Sequence, residues 1–248
     1  MKTQMITTTV MMALLLSVGG QAVHASEAAM TTTATRFHVH IENVSKPDVI
    51  KAPGGKRQGA GLSPGLWLVH APGSPIFTAG QPDRGKGLQT QAEDGYPVTL
   101  SESLAGASGI FSSGIFNIPV GAAKPGPIGP GGAFDFTVTA KPGQCLSFTL
   151  MFGNSNDCFF GTGDSGIALF DGHGKPVHGN ITSRVTLWDA GTEANEEPGV
   201  GPHQAPLQDH PGDGIKTHEP IIPVVDRKDG FTYPTVSRTL RVTITPEP

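Results

Sequence analysis

Apolar and polar residues alternate strictly in several short stretches of the chain. Phe37, Val39 and Ile41 alternate with His38, His40 and Glu42, and Phe134, Phe136 and Val138 with Asp135, Thr137 and Thr139. Leu146, Phe148, Leu150 and Phe152 alternate with Ser147, Thr149 and Met151, and Val185 and Leu187 with Thr186 and Trp188. Near the end, Leu240, Val242 and Ile244 alternate with Arg241, Thr243 and Thr245. Successive side chains of a strand point to opposite faces, so this period of two predicts strands with one buried face and one polar outer face, the habit of antiparallel sheets. Strands of this kind separated by Gly/Pro turns predict an all-β fold, an antiparallel two-sheet β-sandwich running from near Arg36 to near Thr245. Between Gly80 and Gly106 the period changes. There Leu88, Ala92, Leu100 and Leu104 predict one or two short helices, interrupted at Gly95 and Pro97. Residues 122–132 read as a Pro/Gly connection between strands, and residues 194–230 as a long acidic loop with hardly any periodicity. Structureless loops of that length inside a compact domain are uncommon and are usually functional or mobile.

Composition narrows the class. The 248 residues include 34 Gly and 22 Pro, a density that breaks helices and argues against a bundle, a coiled coil or a doubly wound α/β enzyme. A formal net charge of −4 offers no basic field for nucleic acid. At the N-terminus, Lys2 precedes an apolar run over residues 5–18, and small residues follow up to Ala22-Val23-His24-Ala25-Ser26. These are the three parts of a secretory signal, with cleavage expected after Ala25. The run falls short of the ~20 apolar residues of a membrane span, and no later stretch is a candidate. The expected organisation is a signal peptide (1–25), a linker (26–35) and one domain (36–248). The expected location is secreted or periplasmic, with no membrane span, no nucleic acid and a monomeric state. Cys145 and Cys158 are the only cysteines. An oxidising compartment favours pairing them. The turn between them is off-centre, however, and simple hairpin pairing sets Cys158 nearer Phe152, so the disulfide stays open.

The candidate chemistry lies where two predicted strands run out. One stretch is Gly153-Asn154-Ser155-Asn156-Asp157-Cys158, the other Trp188-Asp189-Ala190-Gly191-Thr192-Glu193. Asp189 and Glu193 are four apart across a glycine, so a tight turn can aim both at one point. Ca²⁺ takes about six to eight oxygens from carboxylates, carbonyls and water. Asp157, Asp189 and Glu193 supply three carboxylates, and backbone carbonyls near Trp188 add to them. Acids at strand ends more commonly cap turns and face solvent, and there is no EF-hand loop.

At these residues the chain resembles the spondin domain, the N-terminal module of F-spondin and mindin, which also occurs as a stand-alone secreted bacterial protein. The resemblance rests on RFHVHIENVS (Arg36–Ser45), QAEDG (Gln91–Gly95), FGNSNDCFFG (Phe152–Gly161) and LWDAGTEANEEPGVGPHQAP (Leu187–Pro206). It implies a C2-like sandwich with Ca²⁺ at one end, an extracellular adhesion or recognition role towards a protein or glycan, and no known catalysis. It also implies that Asp157, Asp189 and Glu193 are the calcium carboxylates, with Glu193 standing where animal members tend to have Asp. The thrombospondin-type repeats of the animal proteins are missing from this chain, so their partners do not carry over.

Other motifs point elsewhere. Gly161–Gly166 fits the dinucleotide fingerprint G-x-G-x-x-G, but Ile167-Ala168-Leu169-Phe170 predicts a following strand where the fingerprint needs a helix. Gly163–Gly166 also echoes a serine-protease nucleophile segment, without a matching histidine setting. His38 and His40 share one strand face, and His203, His210 and His218 lie in the acidic loop. They offer a competing reading, a metal-dependent hydrolase built on residues 203–218, although no close-packed ligand motif is present. A carbohydrate-binding module is a further alternative, resting only on Trp67, Trp188, Tyr96 and Tyr233. Asn43-Val44-Ser45 and Asn180-Ile181-Thr182 fit the N-glycosylation pattern.

Overall fold

A computed structural model describes residues 33–248 of the chain. The predicted signal peptide and most of the linker lie outside the described residues. The strands start where the alternation starts. β1 (Thr35–Asn43) is followed by a small hairpin, β2 (Ile50–Lys51) and β3 (Arg57–Gln58), and then by β4 (Leu62–His70). Helices α1 (Leu88–Asp94) and α2 (Val98–Leu104) follow, then β5 (Ile110–Phe116), β6 (Ala133–Ala140), β7 (Cys145–Phe152) and β8 (Cys158–Thr162). The remainder comprises β9 (Ile167–Ala168), β10 (Gly179–Asn180), β11 (Val185–Asp189), β12 (Ile222–Pro223), the single turn α3 (Val236–Thr239) and β13 (Leu240–Glu247). Helix α1 stops at Gly95, whose φ of 66° lets its amide close back onto the Thr90 carbonyl.

The fold is an all-β sandwich of two antiparallel sheets. One has the order β10-β13-β1-β6, and the other β12-β11-β8-β7-β4-β5, with β9 added beside β7. Their inner faces form the main core. Phe37, Val39, Ile41, Phe134, Val138, Val242 and Ile244 from the smaller sheet meet Leu146, Phe148, Leu150, Phe152, Phe160 and Leu187 from the larger. Trp67 stacks on Phe136 between the sheets, 5.9 Å between ring centres.

The outer face of the larger sheet departs from the sequence expectation. Ser147, Thr149 and Met151 alternate with the core residues of β7 yet are buried, as is every residue of that strand. Helices α1 and α2 and the segment around Phe77 cover this face. They build a second apolar cluster in which Leu88, Ala92, Leu100 and Leu104 meet Leu66, Leu68, Phe159 and Trp188. Ser147 and Ser63 beneath this layer are paired, as burial favours, whereas the Thr149 hydroxyl is buried without a partner. Ser147 Oγ lies 2.8 Å from His70 Nε2, and Ser63 Oγ accepts the Met151 amide at 2.8 Å.

Three further expectations are settled by topology. Cys145 and Cys158 are both free thiols. Met151 faces Phe159 across β7 and β8, so Cys158 sits beside the far end of β7, roughly 20 Å of strand from Cys145 and well beyond disulfide reach. Residues 194–230 are not structureless. Their middle runs antiparallel to the turn after β11, with Ala194 donating to the Ile215 carbonyl, Thr217 to Thr192 and Glu219 to Gly191. Asn43 is fully buried and its amide donates to the Ala60 and Ile128 carbonyls, so the folded domain cannot present that sequon for glycosylation, whereas Asn180 is exposed. Among the described residues no helix is long and apolar enough to cross a membrane.

Candidate metal centre

The predicted acidic stretches meet at one end of the larger sheet, because β8 and β11 are hydrogen-bonded neighbours with Asp189 opposite Cys158. The turn before β8 is closed by Ser155, whose hydroxyl donates to the Phe152 carbonyl at 2.6 Å and accepts the Cys158 amide at 3.1 Å. This leaves Asp157 pointing inward with no exposed surface. One carboxylate oxygen, Oδ2, accepts the amides of Thr192 at 2.7 Å and Glu193 at 3.0 Å, and the Thr192 hydroxyl at 3.2 Å. The other, Oδ1, is buried and has no hydrogen-bond partner.

Asp189 closes the same pocket from β11. It accepts the Gly191 amide at 2.7 Å, the Arg227 guanidinium at 2.7 Å and the Asn195 side-chain amide at 2.6 Å. The Asn195 amide nitrogen lies 3.1 Å from Asp229, which in turn accepts the Tyr233 hydroxyl at 2.9 Å. Ligand atoms of Asp157, Cys158 and Asp189 lie within 4.8 Å of one another, all on buried residues. Three carboxylates therefore converge with one guanidinium. Burial, and then the charge of Asp189, push the Asp157 carboxyl up to about 8. Burial beside the same carboxylates raises the Cys158 thiol well above its usual range, so it stays protonated and is a poor ligand.

Glu193 is not brought to this point. Its backbone amide serves Asp157, while its side chain turns the other way to accept the Gly214 amide at 3.0 Å and Lys216 at 2.7 Å. Lys216 also pairs with the buried Glu93 at 2.7 Å. The extra methylene of Glu relative to Asp gives the carboxylate this reach. Trp188 faces the second cluster through its indole, 5.0 Å from Phe77, and its backbone is in register with Phe159. Asn195, Arg227 and Asp229 complete the site, although no ligand pattern in the sequence marks them. The only prior signal was their place in the acidic stretch after β11.

The turn that aligns these groups depends on Gly191. Its φ of 68° is unfavourable for any other residue, and a Cβ there would lie 2.4 Å from the Glu219 carbonyl oxygen. Gly191→Ala is expected to lower stability by about 2–4 kcal/mol, read as a shifted urea midpoint at unchanged slope. An unaltered midpoint would mean that the turn can reshape.

Among the described residues His203, His210 and His218 of the hydrolase alternative do not converge. His203 pairs with Glu196 at 2.5 Å, while His210 and His218 are exposed. Of the aromatics considered for sugar stacking, Trp67 and Trp188 are used in packing, Tyr233 is bonded to Asp229, and Tyr96 is exposed. The segment after Gly166 is the short strand β9, so the glycine motif has no helix to follow it. No protein-family model matches the chain, and a search of curated proteins returns no match.

Proposed function

We propose that the chain is an exported sandwich domain that holds one Ca²⁺ ion between the Asp157 turn and the Asp189 turn, and that the ordered loops at this end serve extracellular recognition. The observation that carries the metal reading is the Asp157 Oδ1 atom, fully buried and unpartnered, on a carboxylate within 4.8 Å of a second buried one. Such a pair must take up either a proton or a cation to be tolerable in a low-dielectric interior. The ready donors are hard oxygens. Asp157 and Asp189 would hold the ion, with Asp229 joined to them through the Asn195 amide nitrogen. Glu193 joins them only if its carboxylate leaves Lys216. An oxygen-rich set favours Ca²⁺ over softer ions, and the protonated Cys158 thiol agrees with that. Export and a recognition role rest on the N-terminal segment and on the spondin resemblance.

Titration calorimetry with Ca²⁺ tests the reading. The expectation is one equivalent bound by the wild-type protein, at least tenfold weaker binding by Asp189→Asn, and loss of thermal stability in EDTA. A flat isotherm, or an unchanged one for the variant, would remove the ion from the account. Zn²⁺ binding abolished by Cys158→Ser would instead assign a soft-metal site.

A further inference from the structure

A second group of ligating side chains stands on the opposite sheet and is independent of the site above. In β1 the alternation that buries Phe37, Val39 and Ile41 turns His38 and His40 outward onto one face. The neighbouring strand β6 runs antiparallel, with Asp135 opposite His40 and Thr137 opposite His38. On the other side, β13 places Thr243 and Thr245 at the same positions. The strand register therefore fixes two imidazoles and one carboxylate at adjacent points, in reach of one another across about 5–7 Å between Cβ atoms. Asp135 Oδ1 already lies between the rings, 2.6 Å from His40 Nδ1 and 3.3 Å from His38 Nε2. All three side chains are about one-third exposed, at 34–38%. The neighbouring charges on this face are occupied with each other, since Arg36 pairs with Glu247 and Arg241 with Glu42.

We propose that His38, His40 and Asp135 form a binding site for a first-row transition-metal dication such as Zn²⁺, Ni²⁺ or Cu²⁺. Two neutral imidazoles and one carboxylate are a borderline donor set that suits these ions and not Ca²⁺ or Mg²⁺. Rotation of exposed side chains is enough to admit the ion, because the backbone already sets the spacing. Three protein ligands on an open sheet face leave a coordination position for water or for a ligand from outside the chain.

Zn²⁺ titration calorimetry on the full domain, in excess Ca²⁺ to occupy any hard-cation site, tests the assignment. The expected result is one equivalent of Zn²⁺ for the wild-type protein. Affinity should fall at least tenfold in His38→Asn/His40→Asn, and again relative to wild type in Asp135→Asn. Cu²⁺ should bind more tightly than Zn²⁺. Because the three residues are on the surface, the variants should keep the wild-type melting temperature, which separates lost ligation from lost folding. An absent Zn²⁺ signal would overturn the proposal. So would Zn²⁺ binding that survives the double histidine variant, or that disappears only in Cys158→Ser.

Discussion

Replacing Asp157 with Asn is expected to stabilise the metal-free protein and destroy its response to calcium, two effects in opposite directions from one atom. In the folded protein Asp157 keeps its proton up to about pH 8, against a reference value of 3.8 for the unfolded chain. Between those values the folded state holds one more proton than the unfolded state, so stability must fall as pH rises, by at most ~1.4 kcal/mol per pH unit. At pH 8 in EDTA the wild-type protein therefore carries a charge penalty that Asp157→Asn lacks. The Asn carbonyl can still accept the Thr192 and Glu193 amides, and its NH₂ can donate to Asp189. A gain of about 2 kcal/mol, or roughly 4–8 °C in melting temperature, is the expected outcome at that pH. Saturating Ca²⁺ should reverse the order, raising the wild-type melting point and leaving the variant where it was. Melting curves at pH 5 and pH 8, each with EDTA and with Ca²⁺, decide the matter. A variant that is less stable than wild type at pH 8 in EDTA would show that the Asp157 charge is already compensated within the fold.

The second large effect concerns Arg227. Its side chain is 12% exposed and bridges the buried Asp189 to Glu219. Arg227→Met removes the guanidinium at the site and leaves Asp189 without its charge partner, and breaking a buried pair in this way costs about 3–5 kcal/mol. The metal-free variant should melt at least ~6 °C below wild type. Because a divalent cation can take over the compensation, Ca²⁺ should restore most of the loss and bind more tightly to the variant than to wild type. A variant equally unstable with and without Ca²⁺ would separate Arg227 from the metal site and make it a structural clamp alone.

These effects depend on contacts of very different legibility in the sequence. The sandwich was readable because the long strands β1, β6 and β13 carry their burial code locally: in β1, Phe37, Val39 and Ile41 face the core, with the alternate residues outside. The helices at 88–94 and 98–104 were readable from the change of period and from the stops at Gly95 and Pro97. What β7 does not disclose is its second cover. Ser147, Thr149 and Met151 look like a solvent face, and only the tertiary placement of α1 and α2 turns them into an interior.

The site divides in the same way. Asp157 and Asp189 come together because β8 and β11 are neighbours, which two acids at strand ends can suggest. Glu193 goes elsewhere for reasons lying at distant positions: the Gly214 amide and Lys216 capture it, Lys216 being shared with Glu93, and its own amide is needed by Asp157. Arg227 was unreadable for the same cause. Thirty-eight residues separate it from Asp189, and no local pattern marks an arginine that will be folded inward.

The pocket between the two turns can be interrogated atom by atom. Crystals grown with Ca²⁺, measured at a wavelength where calcium scatters anomalously, should give a peak about 2.3–2.6 Å from Asp157 Oδ1 and from an Asp189 oxygen. That result would place the ion at the unpartnered atom on which the account stands. A map with no peak there, and with Asp157 and Asp189 sharing a proton at hydrogen-bond distance, would contradict it.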